Sequence, residues 1–181
     1  MLTFIIVLTL LWGIYTGVRR GLILQIVYTV GYFISFLVAR EYYTVIAAKI
    51  DLLVPYPSIE FGKELIFYTE EVSFVLDQAF YNGLAFILLL FAGWLVTRFV
   101  GSMLNSLAFF PLIKQLNQLG GGVLGFLMHY IGIFLLLTLA SMIPMDFIQQ
   151  LYVESDLAAW MVSETPYFSR LIYDWWIGII Q

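Results

Sequence analysis

The sequence predicts an all-α integral membrane protein, with about four transmembrane helices in two hairpins and amphipathic helices at the membrane interface. Three observations carry this expectation. Of the 181 residues, 62% are hydrophobic and only 11% charged, too little charge to cover a soluble domain of that length. The charges are bunched between apolar runs long enough to cross a hydrocarbon core of roughly 30 Å. Glycine recurs at four-residue spacing inside these runs, as in GIYTGVRRG at 13–21, a pattern that lets helix backbones approach closely in lipid. One membrane domain covering 1–181 is expected.

The first span is placed at 2–18. A basic pair follows the apolar run instead of preceding it, which argues against a cleaved signal peptide. Only Arg19, Arg20 and Gly21 separate it from a second span at 22–39, so the two must form a tight hairpin. The stretch from Arg40 to Asp77 holds seven acidic and three basic residues and Pro55-Tyr56-Pro57, and reads as a long external connection over 40–78. Within it, Leu65, Tyr68, Val72, Val75 and Ala79 are spaced like the stripe of an interfacial helix over 64–78. The third span is placed at 79–100. A linker over 101–120 carrying Lys114 follows, then a fourth span at 121–143, stopped by Pro144. Residues 145–181 are too charged to cross and read as a C-terminal interfacial region. In it, Thr165 and Pro166 offer an N-cap and a first-turn proline. Phe168, Leu171, Ile172, Trp175, Trp176, Ile179 and Ile180 then share one face. With Trp175 and Trp176 as interfacial anchors, this last helix is expected to lie on the membrane, the alternative being packing against the end of the protein's own bundle.

All twelve acidic residues fall in the 40–77 connection or after Pro144, whereas Arg19, Arg20, Arg98 and Lys114 lie at the other turns with no acid beside them. Basic residues in short loops set orientation, so the Arg19-Arg20 turn is expected in the cytoplasm and both termini outside.

Several constellations are candidate sites. Arg19 and Arg20 form a contact spot for anionic lipid heads or an acidic partner. Gly13, Gly17 and Gly21 in the first hairpin, and Gly121, Gly122 and Gly125 in NQLGGGVLG, are close-packing motifs. The second span carries Gly21, Gln25, Tyr28, Tyr32, Ser35 and Ala39 as a small or polar stripe facing other helices. Gln25 and His129 are intramembrane polar groups. His129, the sole histidine, is read either as a proton relay or as a neutral side chain hydrogen-bonded across helices. Its neighbours Gly122, Gly125 and Gly132 define a face able to accept another backbone.

Metal, cofactor and catalytic sites find no support. The chain has no cysteine and one histidine, short of a metal ligand set, and the glycine run at 120–122 precedes no lysine. A serine hydrolase needs a base with an orienting acid, and no acid neighbours His129. No catalytic residues are therefore assigned.

The two-helix opening ending in GVRRG and the later NQLGGGVLG entering a helix together resemble the CvpA family, the colicin V production proteins of bacteria. PYP in the first external stretch, and GW and TRF within 93–99, look like its Gram-positive branch. By position Gly17, Arg20 and Gly21 match the first motif, and Asn117, Gly121, Gly122 and Gly125 the second. Where the family often has a basic residue followed by glycine, this chain has Met128 and His129. The resemblance implies a small multi-pass protein of the bacterial cytoplasmic (inner) membrane, tied to toxin production or export and to envelope integrity. Some relatives append an extracytoplasmic trypsin-like protease whose residues this chain lacks.

The expected function is a non-catalytic accessory or scaffold protein. Its expected partners are membrane lipids, a membrane or envelope protein, or a second copy of the chain, and no nucleic acid. The alternative is a small transporter or channel subunit, for which Gln25, Asn82, His129 and the tyrosines would have to line a path.

Overall fold

The structure, a computed structural model, describes residues 1–57, 65–73, 75–103 and 114–178. Its regular elements are helices: α1 (Leu2–Ile50), α2 (Glu70–Ser73), α3 (Leu76–Met103), α4 (Lys114–Ser141), α5 (Asp146–Val153), α6 (Asp156–Glu164) and α7 (Phe168–Trp176). By length and composition α1, α3 and α4 can each cross a membrane, and only 17–28% of the most apolar stretch of each is buried in protein. The rest presents side chains such as Phe33, Phe91, Val96 and Leu136 outward, a surface that water penalises and lipid does not. The chain divides into two compact units: unit 1 is Met1–Phe4, Tyr42–Ile87 and Phe134–Gln181, and unit 2 is Ile5–Glu41 and Leu88–Ile133.

Helix α1 is two arms broken at Gly21, whose φ of 77° and ψ of 168° lie outside helical space. That conformation is open to glycine and strained for other residues. Phe4 and Tyr42 belong to the same compact unit, and an unbroken helix would hold them about 57 Å apart. The chain therefore doubles back at Gly21. The second arm runs on to Ile50, so the residues from Arg40 that read as external loop are helical, and the connection starts only at Asp51. No breaker lies between Ala39 and Ile50. The buried stripe of the second arm simply continues as Ala39, Tyr43, Ala47 and Ile50. Helix α4 likewise begins at Lys114, so the end of the expected 101–120 linker is helical. Its residues 104–113 lie outside the described part of the chain.

Unit 1 satisfies the end of α4 with side chains and short turns. A helix leaves its last four carbonyls without partners, a heavy penalty where water is scarce. Here Thr138 O accepts from Ser141 Oγ at 2.7 Å, and Ser141 O accepts from Gln149 Nε2 at 3.0 Å. The carbonyls of Leu139 and Ala140 accept from the amides of Met142 and Ile143. Just beyond, Met142 O takes the Tyr56 hydroxyl at 2.6 Å, and Tyr152 donates back to Leu137 O at 2.6 Å. Pro144, with no N–H to offer, follows directly.

The expected interfacial helix over 64–78 is replaced by non-helical chain at 65–69, the single turn α2, and α3 from Leu76. Glu64 lies outside the described residues. The apolar positions predicted for it are inward-facing all the same: Leu65, Tyr68, Val72 and Ala79 are buried in unit 1, where the Tyr68 hydroxyl pairs with Ser141 Oγ at 2.9 Å.

Helix α7 also departs from the expectation. Trp176 is fully buried and packs on Gly83 and on the Phe86 ring, with centroids 5.9 Å apart, so it is a core residue and not an interfacial anchor. Trp175 is half-buried against the same ring at 6.2 Å. The carbonyls of Trp175 and Trp176 accept from Tyr43 Oη at 2.8 Å and Asn82 Nδ2 at 3.2 Å. The same amphipathic period suits a bilayer surface and a protein groove. The gap left by Gly83, which has no side chain, receives the indole. Thr165 does not cap α7: buried, its Oγ1 bonds back to Met161 O at 2.6 Å and it ends α6, while Tyr167 at φ 68° starts α7. Ile179 and Ile180 lie outside the described residues.

Two outcomes follow from this core. Trp176→Ala costs about 3–5 kcal/mol of stability in detergent, whereas Trp160→Ala, at an exposed site, costs under about 1 kcal/mol. The second concerns alkali. Burial pushes the Tyr68 hydroxyl up to about 12, partly offset by its bond to Ser141, and burial raises Tyr56 and Tyr152 too. Unfolded tyrosines ionise near pH 10, so the stabilisation is complete below that pH and is lost as pH rises toward about 12. Thermal midpoints measured across this range should fall, and Tyr68→Phe should flatten the slope.

Candidate functional site

In unit 2 the two glycine motifs meet each other. The first arm of α1 and α4 run antiparallel with Gly13 against His129, Gly17 against Gly121 and Gly125, and Gly21 against Asn117. Both strings step by four residues, so each places a column of small or short side chains along one helix face. A Cβ on Gly17 would run into the Gly121 carbonyl and lie 3.1 Å from Gly125 Cα. A Cβ on Gly125 would strike the Gly13 carbonyl and lie 3.0 Å from Gly17 Cα. The helices thus touch through main-chain atoms. Gly122 belongs to the same contact, its missing Cβ being 2.9 Å from Val18 Cγ2. Gly132, expected on this face, has nothing within 4 Å and is exposed, so it lies outside the contact.

Asn117 adds a function to the packing. Its Oδ1 accepts the Leu22 N–H at 2.7 Å, which is an orphan donor at the start of the second arm. A side chain 95 positions away thereby does what a local N-cap does elsewhere.

Arg19 and Arg20 part company. Arg20 folds across the break: its guanidinium carbon lies 4.4 Å from the Tyr28 ring centre, and Nη1 donates to Gln25 Oε1 at 3.5 Å. Gln25 is buried and Arg20 half-buried. Arg19 is exposed and reaches Tyr15, donating to its hydroxyl at 3.4 Å. As a contact spot, therefore, the pair reduces to an outward Arg19 beside an Arg20 already engaged within unit 2.

His129 is half-buried, and its Nδ1 lies 2.9 Å from Gly125 O, four residues back on its own helix. A carbonyl only accepts, so Nδ1 carries the hydrogen and neutral imidazole keeps Nε2 as its acceptor. The bond is local; among the described residues the expected one across helices is not formed. A Cβ on Gly13 would be 2.6 Å from His129 Cγ, so across the helices the ring is held by shape. Among the described residues no three His, Asp or Glu side chains gather as a metal site would require.

A second seam has one side expected from the sequence, the stripe of the second span, and one that was missed, on α3. The second arm of α1 runs antiparallel to α3 with Tyr28 over Gly101, Gly31 beside Thr97, and Ser35 beside Gly93. Its signal stood in the sequence as Gly93, Thr97 and Gly101, three small residues at four-residue spacing. The stripe predicted for the second span supplies the α1 side of this seam through Tyr28 and Ser35, and Gln25, Tyr28, Ser35 and Ala39 in it are buried.

The sequence pattern of the family described as "Colicin V production protein" matches residues 2–166. The chain belongs to the colicin V production protein family. It is also 38% identical over 177 residues, 97% of each chain, to "Uncharacterized transmembrane protein YshB" of Bacillus subtilis (strain 168). No solved structure matches it. Together with the apolar helices, these likenesses make it a membrane protein of the colicin V production family.

The helix contact can be tested on a chain that has no cysteine of its own. Val18→Cys with Gly122→Cys should close a disulfide on mild oxidation, read as faster migration in denaturing gels. Adding Gly17→Leu should abolish it, because the leucine side chain has only backbone to meet. Gly132→Leu should leave it intact. Asn117→Ala should cost about 1–3 kcal/mol, since the Leu22 N–H loses its acceptor.

Proposed function

We propose that this family member is a non-catalytic scaffold of the bacterial cytoplasmic membrane, crossing it four times with the Gly21 turn inside and both termini outside. On this reading it holds a membrane or envelope protein in place for toxin production or export and for envelope integrity. The observation that supports it is how the polar groups at the helix contacts are spent. Gln25 is taken by Arg20, Asn117 by the Leu22 amide, and Nδ1 of His129 by its own helix. Groups bonded in this way stiffen helix contacts and leave little to line an aqueous path. The unit that contains His129 has a single acidic residue, Glu41, which also argues against proton relay and triad chemistry. The four crossings are supported by the doubling back of α1, and the orientation by Arg19 and Arg20 in a turn too short to carry any acid.

The test has two arms. Tags at either terminus should be reachable from outside intact cells, and a cysteine at Arg19 only after the membrane is permeabilised. Gln25→Leu and His129→Ala should leave complementation of the family's envelope phenotype within about twofold, provided the proteins accumulate normally. A specific loss of solute or ion flux in either variant, with folding unchanged, would favour the channel reading.

A further inference from the structure

Unit 1 contains a cavity of about 290 Å³ whose wall is chemically divided. Phe67, Val162 and Ile177 make one part of it apolar, while Arg170 and Tyr173 supply the donors. These two lie three residues apart on α7, hence on one face. Both are exposed, and neither has a hydrogen-bond partner among the described residues.

The other hydroxyls in the wall already donate elsewhere: that of Tyr68 pairs with Ser141 Oγ at 2.9 Å, whose own hydrogen goes to Thr138 O. Ser163 donates to Ala159 O at 2.9 Å, Ser169 to Val162 O at 2.8 Å, and Thr138 to Phe134 O at 2.9 Å. The donor capacity of the cavity is thus concentrated at Arg170 and Tyr173. Arg170 is the sole basic residue after Lys114, in a stretch that carries five acidic ones. A cation placed there is not part of a generally basic surface.

A guanidinium beside a phenol binds carboxylate or phosphate through charge-assisted bonds, and the apolar wall suits a hydrocarbon chain. The volume lies near the lower limit for small-molecule sites, roughly 300 Å³, enough for a head group and the first part of a chain. We propose that this cavity binds a single-chain anionic amphiphile, its carboxylate or phosphate held by Arg170 and Tyr173 and its chain laid against Phe67 and the edge of Val162. The site is independent of the glycine contact in unit 2 and of the scaffold reading.

The experiment uses the full chain in phosphatidylcholine nanodiscs, labelled with a twelve-carbon carboxylate carrying a diazirine. Labels should map to α6 and α7. Laurate or dodecyl phosphate should compete at least about tenfold better than dodecanol, and Arg170→Gln should lower labelling by about tenfold. Arg170→Lys should recover part of that loss. Ser163→Trp, at an exposed position on the wall, should block labelling while Arg170 is retained, with circular dichroism confirming that both variants fold. Competition by laurate alone identifies a fatty acid, and by dodecyl phosphate alone a single-chain phosphate ester; either supports the site. Equal competition by dodecanol, unchanged labelling in Arg170→Gln, or labels confined to residues outside the cavity wall would overturn it. So would stronger competition by a hexapeptide with an apolar C-terminal residue and free carboxylate, which would make the occupant a protein end.

Discussion

Where Gly17 lies against Gly121 and Gly125, two helices touch through main-chain atoms, with no side chain between them. Lipid tails are as apolar as leucine, so hydrophobicity gives helices in a bilayer no reason to associate; close approach and the dispersion and Cα–H···O contacts it permits must supply one. Much of unit 2 follows from that contact. It brings Asn117 to the start of the second arm, lets the chain turn at Gly21 without a long loop, and leaves Arg20 free to reach over the turn to Gln25 and Tyr28. The parallel seam of Gly31, Gly93 and Gly101 repeats the device with Ser35, Thr97 and Tyr28 filling the spaces.

Unit 1 is held differently. Its interior is aromatic, with Phe86 between Tyr43, Trp175 and Trp176, and its polar atoms are mostly tyrosine hydroxyls and amides aimed at main-chain carbonyls. A tyrosine does both jobs at once, burying a ring and delivering one donor at its far end. The arrangement ends helices without recourse to water. Among the described residues one polar atom of this unit escapes it: Nε1 of the buried Trp176 has no hydrogen-bond partner.

The long apolar runs, the turn at Arg19-Arg20-Gly21 and the inward stripe of the second arm could all be read from the sequence, because lipid imposes a length and a polarity that show in any window of residues. Pairing could not. Gly13, Gly17 and Gly21 announce a helix contact, but only the folded chain assigns them to Asn117, Gly121, Gly125 and His129. Arg40, Glu41 and Lys49 make the segment from Arg40 to Ile50 look like an exit from the membrane, although Ala39, Tyr43, Ala47 and Ile50 carry the buried stripe straight through. Amphipathic period says that the Trp176 face is apolar and not what covers it; the gap at Gly83 that receives the indole is a tertiary fact. Tyr167, at positive φ, takes the N-cap place expected of Thr165.

The bond from Asn117 to the Leu22 amide has a temporal side. A ribosome adding about 5–20 residues per second needs roughly 5 to 20 s to make the 95 residues that separate the two partners. For that interval the second arm exists without its cap, and the first without the helix it is shaped to meet. The hairpin thus enters the bilayer as a provisional structure, completed only when the last long apolar helix has been synthesised.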